Sequence, residues 1–166
     1  IERIGRWGST AWYGAEGYYV KQGFHGTRLV NSGVDGVRVR SAGFEWIGGS
    51  MVDMKCDENS TENTNSAMLI EPRAQGTKVI GVTFNLHSGL KIQADNCIID
   101  ANILRNAVIA LDSASVPNYC RISGNTGTAN DWARNSNGTF ISVAGGTGHQ
   151  IYGNTLDGET TDTSNS

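Results

Sequence analysis

Proline is nearly missing from this chain, with 2 residues in 166, and long stretches of Leu, Glu, Lys and Ala are missing altogether. The second absence excludes extended amphipathic helices, which need such helix formers at a 3.6-residue period. No apolar run approaches the roughly 18 to 20 residues that cross a bilayer as a helix, and no charged-then-apolar leader opens the chain. The sequence therefore reads as that of a soluble protein, without membrane insertion. An excess of one charge is lacking too: a net −3 with both signs spread along the chain leaves no basic footprint. Neither nucleic acid nor a membrane surface is expected as a partner. Cysteine is scarce. Cys56, Cys97 and Cys120 are odd in number and form no CxxC pair, so no disulfide framework, no zinc site and no other cofactor is expected. Sequons at Asn59 and Asn137 would matter only in a secreted eukaryotic protein, to which nothing else points.

What the chain does have is 22 Gly and abundant Asn, Ser and Thr, so turns must be frequent. Its length suits one domain. It begins at Ile1, and a periodic pattern is under way within thirty residues, so the sequence is expected to be a fragment of a longer chain.

The pattern is an aliphatic residue, any residue, a small residue, two variable residues and usually another apolar one. It recurs as LVNSGV from Leu29, IGGSMV from Ile47, VIGVTF from Val79, IDANIL from Ile99, ISGNTG from Ile122 and IYGNTL from Ile151. The starts are separated by 18, 32, 20, 23 and 29 residues, which sets a period near twenty with insertions at 57–66 and 128–138. Between copies lie second apolar segments: GVRV at Gly36, AMLI at Ala67, GLKI at Gly89, AVIALD at Ala107 and TFISV at Thr139. All are too short for helices and are bounded by turn residues, which makes them strands. A third strand per turn is expected, with VKQ near Val20 and FEW near Phe44 as candidates in the first half. One such repeat cannot bury its apolar side alone, but stacked copies can, each strand pairing with its counterpart about 4.7 to 4.9 Å away.

Stacking turns the repeat into columns. Three positions after the start stand Asn102, Asn125 and Asn154, preceded by Ser32, Ser50 and Val82. Stacked amides donate and accept along such an axis, and Asn tolerates a left-handed backbone. Two positions after the start the residues are Asn31, Gly49, Gly81, Ala101, Gly124 and Gly153, a position that needs a small or left-handed residue. Two positions before it lie Thr77, Cys97, Cys120 and His149; the thiols read as a buried column of small hydrophobes, not as a redox or metal site.

The expected fold is therefore all-β: a right-handed parallel β-helix, a solenoid of about six turns. Residues 1–25 would be an aromatic-rich cap or entry segment, with Trp7, Trp12, Tyr13, Tyr18 and Tyr19; residues 26–158 the shaft; and residues 159–166 a polar end. With its Asn column and inserted loops, the chain resembles the pectate-lyase-like β-helix superfamily. The ISGNT at Ile122 and IYGNT at Ile151 are similar to turns in the β-helical shafts of bacteriophage tailspikes and capsule depolymerases. The resemblance covers roughly residues 26 to 158 and implies homotrimers that project from a virion tail and bind, often cleave, bacterial surface polysaccharide. No catalytic signature of pectate lyases or alginate epimerases is present, so their calcium-dependent chemistry is not implied.

Glycoside hydrolysis needs two carboxyl groups about 5 to 9.5 Å apart. Asp95 follows GLKIQA and Asp112 follows VIAL, so the two are expected near each other at the end of one sheet, with Glu71 and Arg73 extending the strip one turn earlier. These residues are the catalytic candidates Asp95, Asp112 and Glu71, with Arg73 for substrate; the plainer reading is that Asp after a strand caps a turn. That plainer reading is taken for Asp53, Asp100 and Asp157. Trp132, with Asp131 and Arg134 in the inserted loop, is either a sugar-stacking platform or packed on the shaft or a neighbouring protomer. Trp46 or Phe44 belongs to the core, and His87 reads as a turn residue. Leu69, Ile109 and Ile141 are expected to face outward and so to be covered by a partner chain. Three functions remain in view: a depolymerase, a non-catalytic receptor-binding shaft or adhesin, and a secreted bacterial β-helix lyase.

Overall fold

The protein is described in a computed structural model, over residues 16–17, 24–30, 37–54, 68–86, 89–105, 108–112, 115–128 and 140–157. The described residues contain strands and no helix. In chain order the strands are β1 (Glu16–Gly17), β2 (Phe24–Val30), β3 (Val37–Val39), β4 (Glu45–Met54), β5 (Met68–Ile70) and β6 (Lys78–Ile80). Next come β7 (Thr83–Leu86), β8 (Leu90–Ile92), β9 (Ile98–Asp100), β10 (Ile103–Arg105) and β11 (Ile109–Leu111). The last are β12 (Arg121–Ser123), β13 (Thr126–Thr128), β14 (Ile141–Val143), β15 (Gln150–Tyr152) and β16 (Thr155–Asp157).

All strand pairings among the described residues are parallel, in two sheets, an arrangement consistent with a β-solenoid. The six-stranded sheet runs β1-β3-β5-β8-β11-β14. The ten-stranded sheet has two arms that meet on the long β4: β6, β9, β12 and β15 extend one, and β7, β10, β13 and β16 the other, while β2 pairs β4 on its far side. From β5 onward the chain visits the small sheet, the first arm and the second arm in fixed rotation, so the third strand per turn is present. All five second segments of the repeat are strands of the small sheet.

Pairing corrects the phase of the first two repeat copies. Phe24 lies opposite Trp46 and Trp46 opposite Val79, while Leu29 lies opposite Met51. The column of starts is thus Phe24, Trp46, Val79, Ile99, Ile122 and Ile151. Leu29 and Ile47 are not in it, and Ser50 pairs with Thr83, outside the Asn column. Trp46 fills an aliphatic position because it meets Phe84 edge to face, ring centres 5.8 Å apart at 68°; Trp46 and Phe44 are both buried.

The core lies between the sheets as stacked apolar columns. Val79, Ile99 and Ile122 come from the first arm, Met51, Phe84 and Leu104 from the second, and Met68, Leu90 and Ile109 with Ile70, Ile92 and Leu111 from the small sheet. Three-residue strands put their first and third residues inward there. Ile109 is therefore core and Ile141 packs on it, contrary to the outward placement expected for both; Leu69 is a middle residue, yet only 4% exposed. The apolar face thought to need a partner chain is not supplied by these residues.

Turns between strands follow a backbone rule. In strands the N–H reaches the preceding turn, as from Ile98 to Thr77 O (2.8 Å) and from Arg121 to Cys97 O (2.8 Å). At left-handed residues it reaches the following turn, as from Gly81 to Asp100 O (3.1 Å), Ala101 to Ser123 O (3.0 Å) and Gly124 to Tyr152 O (3.2 Å). The left-handed position is thus the residue before each Asn, not the Asn itself. A second left-handed column precedes the first arm: Gly43, Gly76, Asn96, Tyr119 and Gly148, with φ from 55° to 72°.

The expected Asn column is present. Asn102 donates from Nδ2 to Val79 O and to Asn125 Oδ1, both at 2.9 Å; Asn125 does the same to Ile99 O and Asn154 Oδ1, and Asn154 reaches Ile122 O. Each Oδ1 also takes the backbone N–H of the turn before, including that of Val82. Asn102 and Asn125 are buried, and so satisfied that burial carries no desolvation penalty of an orphaned amide.

Candidate functional site

The outward surface of the small sheet carries the polar strip that the sequence suggested. At the C-terminal ends of its strands the backbone stacks Arg40, Glu71, Gln93 and Asp112 turn upon turn, through Glu71 N–H to Val39 O, Gln93 N–H to Ile70 O and Asp112 N–H to Ile92 O. Arg38 and Lys91 stand beside them at the middle positions of β3 and β8. Glu71 accepts from Arg38 Nε and from Arg40 Nε, the latter at 3.1 Å. Asp112 accepts from Gln93 Nε2 at 2.7 Å and lies 3.4 Å from Lys91 Nζ.

The expected pair, Asp95 with Asp112, is not the pair that the topology brings to one edge. Asp112 stacks on Gln93, while Asp95 sits two residues further, where its Oδ1 takes the backbone N–H of Asn118 at 2.7 Å. Asn118 Oδ1 in turn accepts from Thr147 N (3.0 Å) and Oγ1 (3.2 Å), so Asp95 heads a column of side-chain caps along the turns. Glu71 and Asp112 are the carboxylates that share an edge, on alternate strands with Gln93 between. Two strand spacings put their backbones roughly 9.5 Å apart. Arg73 is exposed at the turn after Glu71. Trp132, Asp131 and Arg134, like His87, Cys56 and the side chains of Asp53 and Asp157, lie outside the described residues.

Chemistry follows from the partners. Glu45, Glu71, Asp95, Asp100 and Asp112 each accept a hydrogen bond or ion pair: Glu45 from Lys78 (2.6 Å) and Asp100 from Ser123 Oγ (2.7 Å), with Arg121 Nη2 3.7 Å away. Lys78 holds the Glu45 carboxyl below its usual range, first by hydrogen bonding and then by charge. At Glu45 this partner favours the ionised form. A general acid needs the opposite, a carboxyl that keeps its proton near neutral pH. No group of three His, Cys, Asp or Glu able to hold a metal occurs among the described residues.

The thiols sit where expected. Thr77, Cys97 and Cys120 are buried in one column, and Cys97 and Cys120 Sγ both lie against Ala94 O, at 3.3 and 3.4 Å. Cys120 is the one that ionises first, held down by the hydrogen bond from Cys97; the same bond and burial push Cys97 up. His149 continues the column, its Nδ1 taking the Cys120 N–H at 3.3 Å, so Nε2 carries the proton that meets Gly145 O at 3.1 Å.

Two exposed aromatic residues escaped the sequence reading. Tyr119 is 64% and Tyr152 56% exposed, on either side of the outward face of the first arm. One signal was available for Tyr119: it occupies the position three before the repeat start, where the other copies have Gly76, Asn96 and Gly148. Comparison of the chain with protein-family models, with curated proteins and with solved structures finds no match, so function rests on the geometry above.

Proposed function

We propose that this chain is part of the shaft of a tailspike-type host-recognition protein, a right-handed parallel β-helix that binds bacterial surface polysaccharide without cutting it. Assembly as a homotrimer on a virion tail belongs to the same proposal. The reading is supported by one observation above others: the outward strip of Arg40, Glu71, Gln93 and Asp112, in which polar groups repeat at each strand and the charges are already paired. Polar side chains recur at each strand of the strip, and its carboxylates and amide offer hydroxyl groups both acceptors and donors.

The binding form is favoured over cleavage because Glu71 is clamped by Arg38 and Arg40, and Asp112 by Gln93 and Lys91. The spacing of their backbones suits an inverting hydrolase, but both carboxylates are already engaged by neighbouring side chains. The 166-residue chain should be mixed with capsular and O-antigen polysaccharides from a panel of Gram-negative bacteria. Retention of a polysaccharide with no new reducing ends or unsaturated product is expected, unchanged in Glu71→Gln and Asp112→Asn with respect to product. Release of fragments by the wild type, lost in either variant, overturns the non-cutting form; retention of none overturns the binding reading.

A further inference from the structure

We infer that a second glycan seat, besides the charge-paired strip on the small sheet, is the outward face of β9, β12 and β15, between Tyr119 and Tyr152; this rests on the polysaccharide reading above. Tyr119 is held in a conformation that a bulky side chain rarely adopts, φ 55°, in a column otherwise filled by Gly and Asn. The fold supports it from two sides. Its N–H is tied to Thr147 O at 2.9 Å, and its ring lies over Gly148 of the next turn, where an added Cβ would come within 2.4 Å of Tyr119 Cδ1. The ring is thus fixed and yet largely exposed. Strain of this kind persists where the surrounding structure holds the residue in place, and it gathers at functional sites.

Four residue steps along the next turn lead from Gly148 to Tyr152, roughly 13 Å at strand rise. That is a span for a short oligosaccharide rather than a single sugar. Between the two rings the face presents Asp100, Arg121 and Gln150. Asp100 and Arg121 offset each other's charge. Aromatic faces flanking a charge-balanced set of donors and acceptors fit a ligand with apolar C–H faces and hydroxyl edges. A nucleic acid would call for net positive charge. Because the Tyr119 ring is set in advance, ordering it on binding costs little entropy.

The test uses an array of bacterial capsular and O-antigen oligosaccharides, probed with the 166-residue chain. Tyr119→Asn places in the column the residue that its neighbour Asn96 already supplies, so the fold is kept; Tyr152→Ala removes the second ring, and Tyr119→Phe keeps the first. Tyr119→Asn and Tyr152→Ala are each expected to weaken the wild-type hits at least tenfold, and Tyr119→Phe less than threefold. If the wild type binds and both ring-removing variants bind equally well, this seat is wrong while the polysaccharide reading stands. If the wild type binds no glycan, that reading fails and takes the seat with it. If Tyr119→Asn instead changes the mass of the particle in sedimentation, the face is an interface between copies and the inference is overturned.

Discussion

Asn125 Nδ2 donates to Asn154 Oδ1 at 2.9 Å while the Asn125 backbone N–H donates to the same oxygen at 3.0 Å, so one carboxamide closes two bonds to the turn before it. Asn125 offers the same two acceptances to Asn102 and gives its remaining proton to Ile99 O. Asn125→Ala would strand donors on Asn102 and acceptors on Ile99 and Asn154 inside the core. Each orphaned buried group costs about 1 to 3 kcal/mol, so a loss of about 3 to 5 kcal/mol is expected in urea unfolding. Asn154→Ala should cost clearly less, since Asn154 is half-buried and water can replace it. Equal losses would mean that the column is not a cooperative ladder.

Such a ladder was readable in the sequence because spacing and chemistry agreed: Asn at one offset, small residues just before it, aliphatics at the start. Where they disagreed, the reading slipped. Ile47 was preferred to Trp46 as a start because an aromatic breaks an aliphatic pattern; only the packing on Phe84 explains it. The outward phase expected for Ile109 is wrong because AVIAL is apolar at every position and three-residue strands leave one alternation to choose from. Asp95 and Asp112 are expected near each other, and the register sets Gln93 against Asp112 and Asp95 against Asn118. Gln93 and Asp112 are 19 residues apart, Asp95 and Asn118 are 23, and the extra residues fall between Asp112 and Asn118. Tyr119 was missed because Tyr is the wrong residue for a left-handed turn.

The left-handed column tests that backbone rule. Ala101 has φ 54° and is exposed, while its neighbours in the stack are glycines. Ala101→Gly relieves a strain of about 1 to 2 kcal/mol and gives back part of it through unfolded-chain entropy, so stability should rise by about 0.5 to 1 kcal/mol. Gly124→Ala should do the reverse, because an added Cβ meets nothing closer than 3.5 Å and only the backbone objects. Chemical denaturation of both variants checks the signs, and a loss in Ala101→Gly would contradict the rule.

Glu45 and Lys78 connect adjacent strands on the outward face of the first arm, and the carboxyl is held below its ordinary value of 4.5. A depressed carboxyl contributes stability that is present above its unfolded value and lost as pH falls through the folded one. Both side chains are well exposed, so the contribution is small and screened by salt. The wild type should melt slightly above Glu45→Gln at pH 7 in low salt, and the gap should close as pH drops below about 4.5. A gap that widens in acid would have the opposite sign and exclude the pairing as its source.

Gly127 interrupts the inward column of the second arm, following Phe84 and Leu104, and Phe140 occupies the volume that a side chain would take. An added Cβ would lie 2.5 Å from Phe140 Cε2 and 2.7 Å from Cδ2, too close for a ring packed against the core to avoid without shifting. Gly127→Ala is therefore expected to cost about 1 to 3 kcal/mol as an overpacked site. The cause can be separated from a general intolerance of Ala on β13. If the ring is the obstacle, Gly127→Ala made in a Phe140→Ala background should cost little or even stabilise by filling the hole, giving a coupling of about 1 kcal/mol or more in the double-mutant cycle. Additive losses would place the obstacle elsewhere and remove Phe140 from the account of why this strand carries a glycine at its centre.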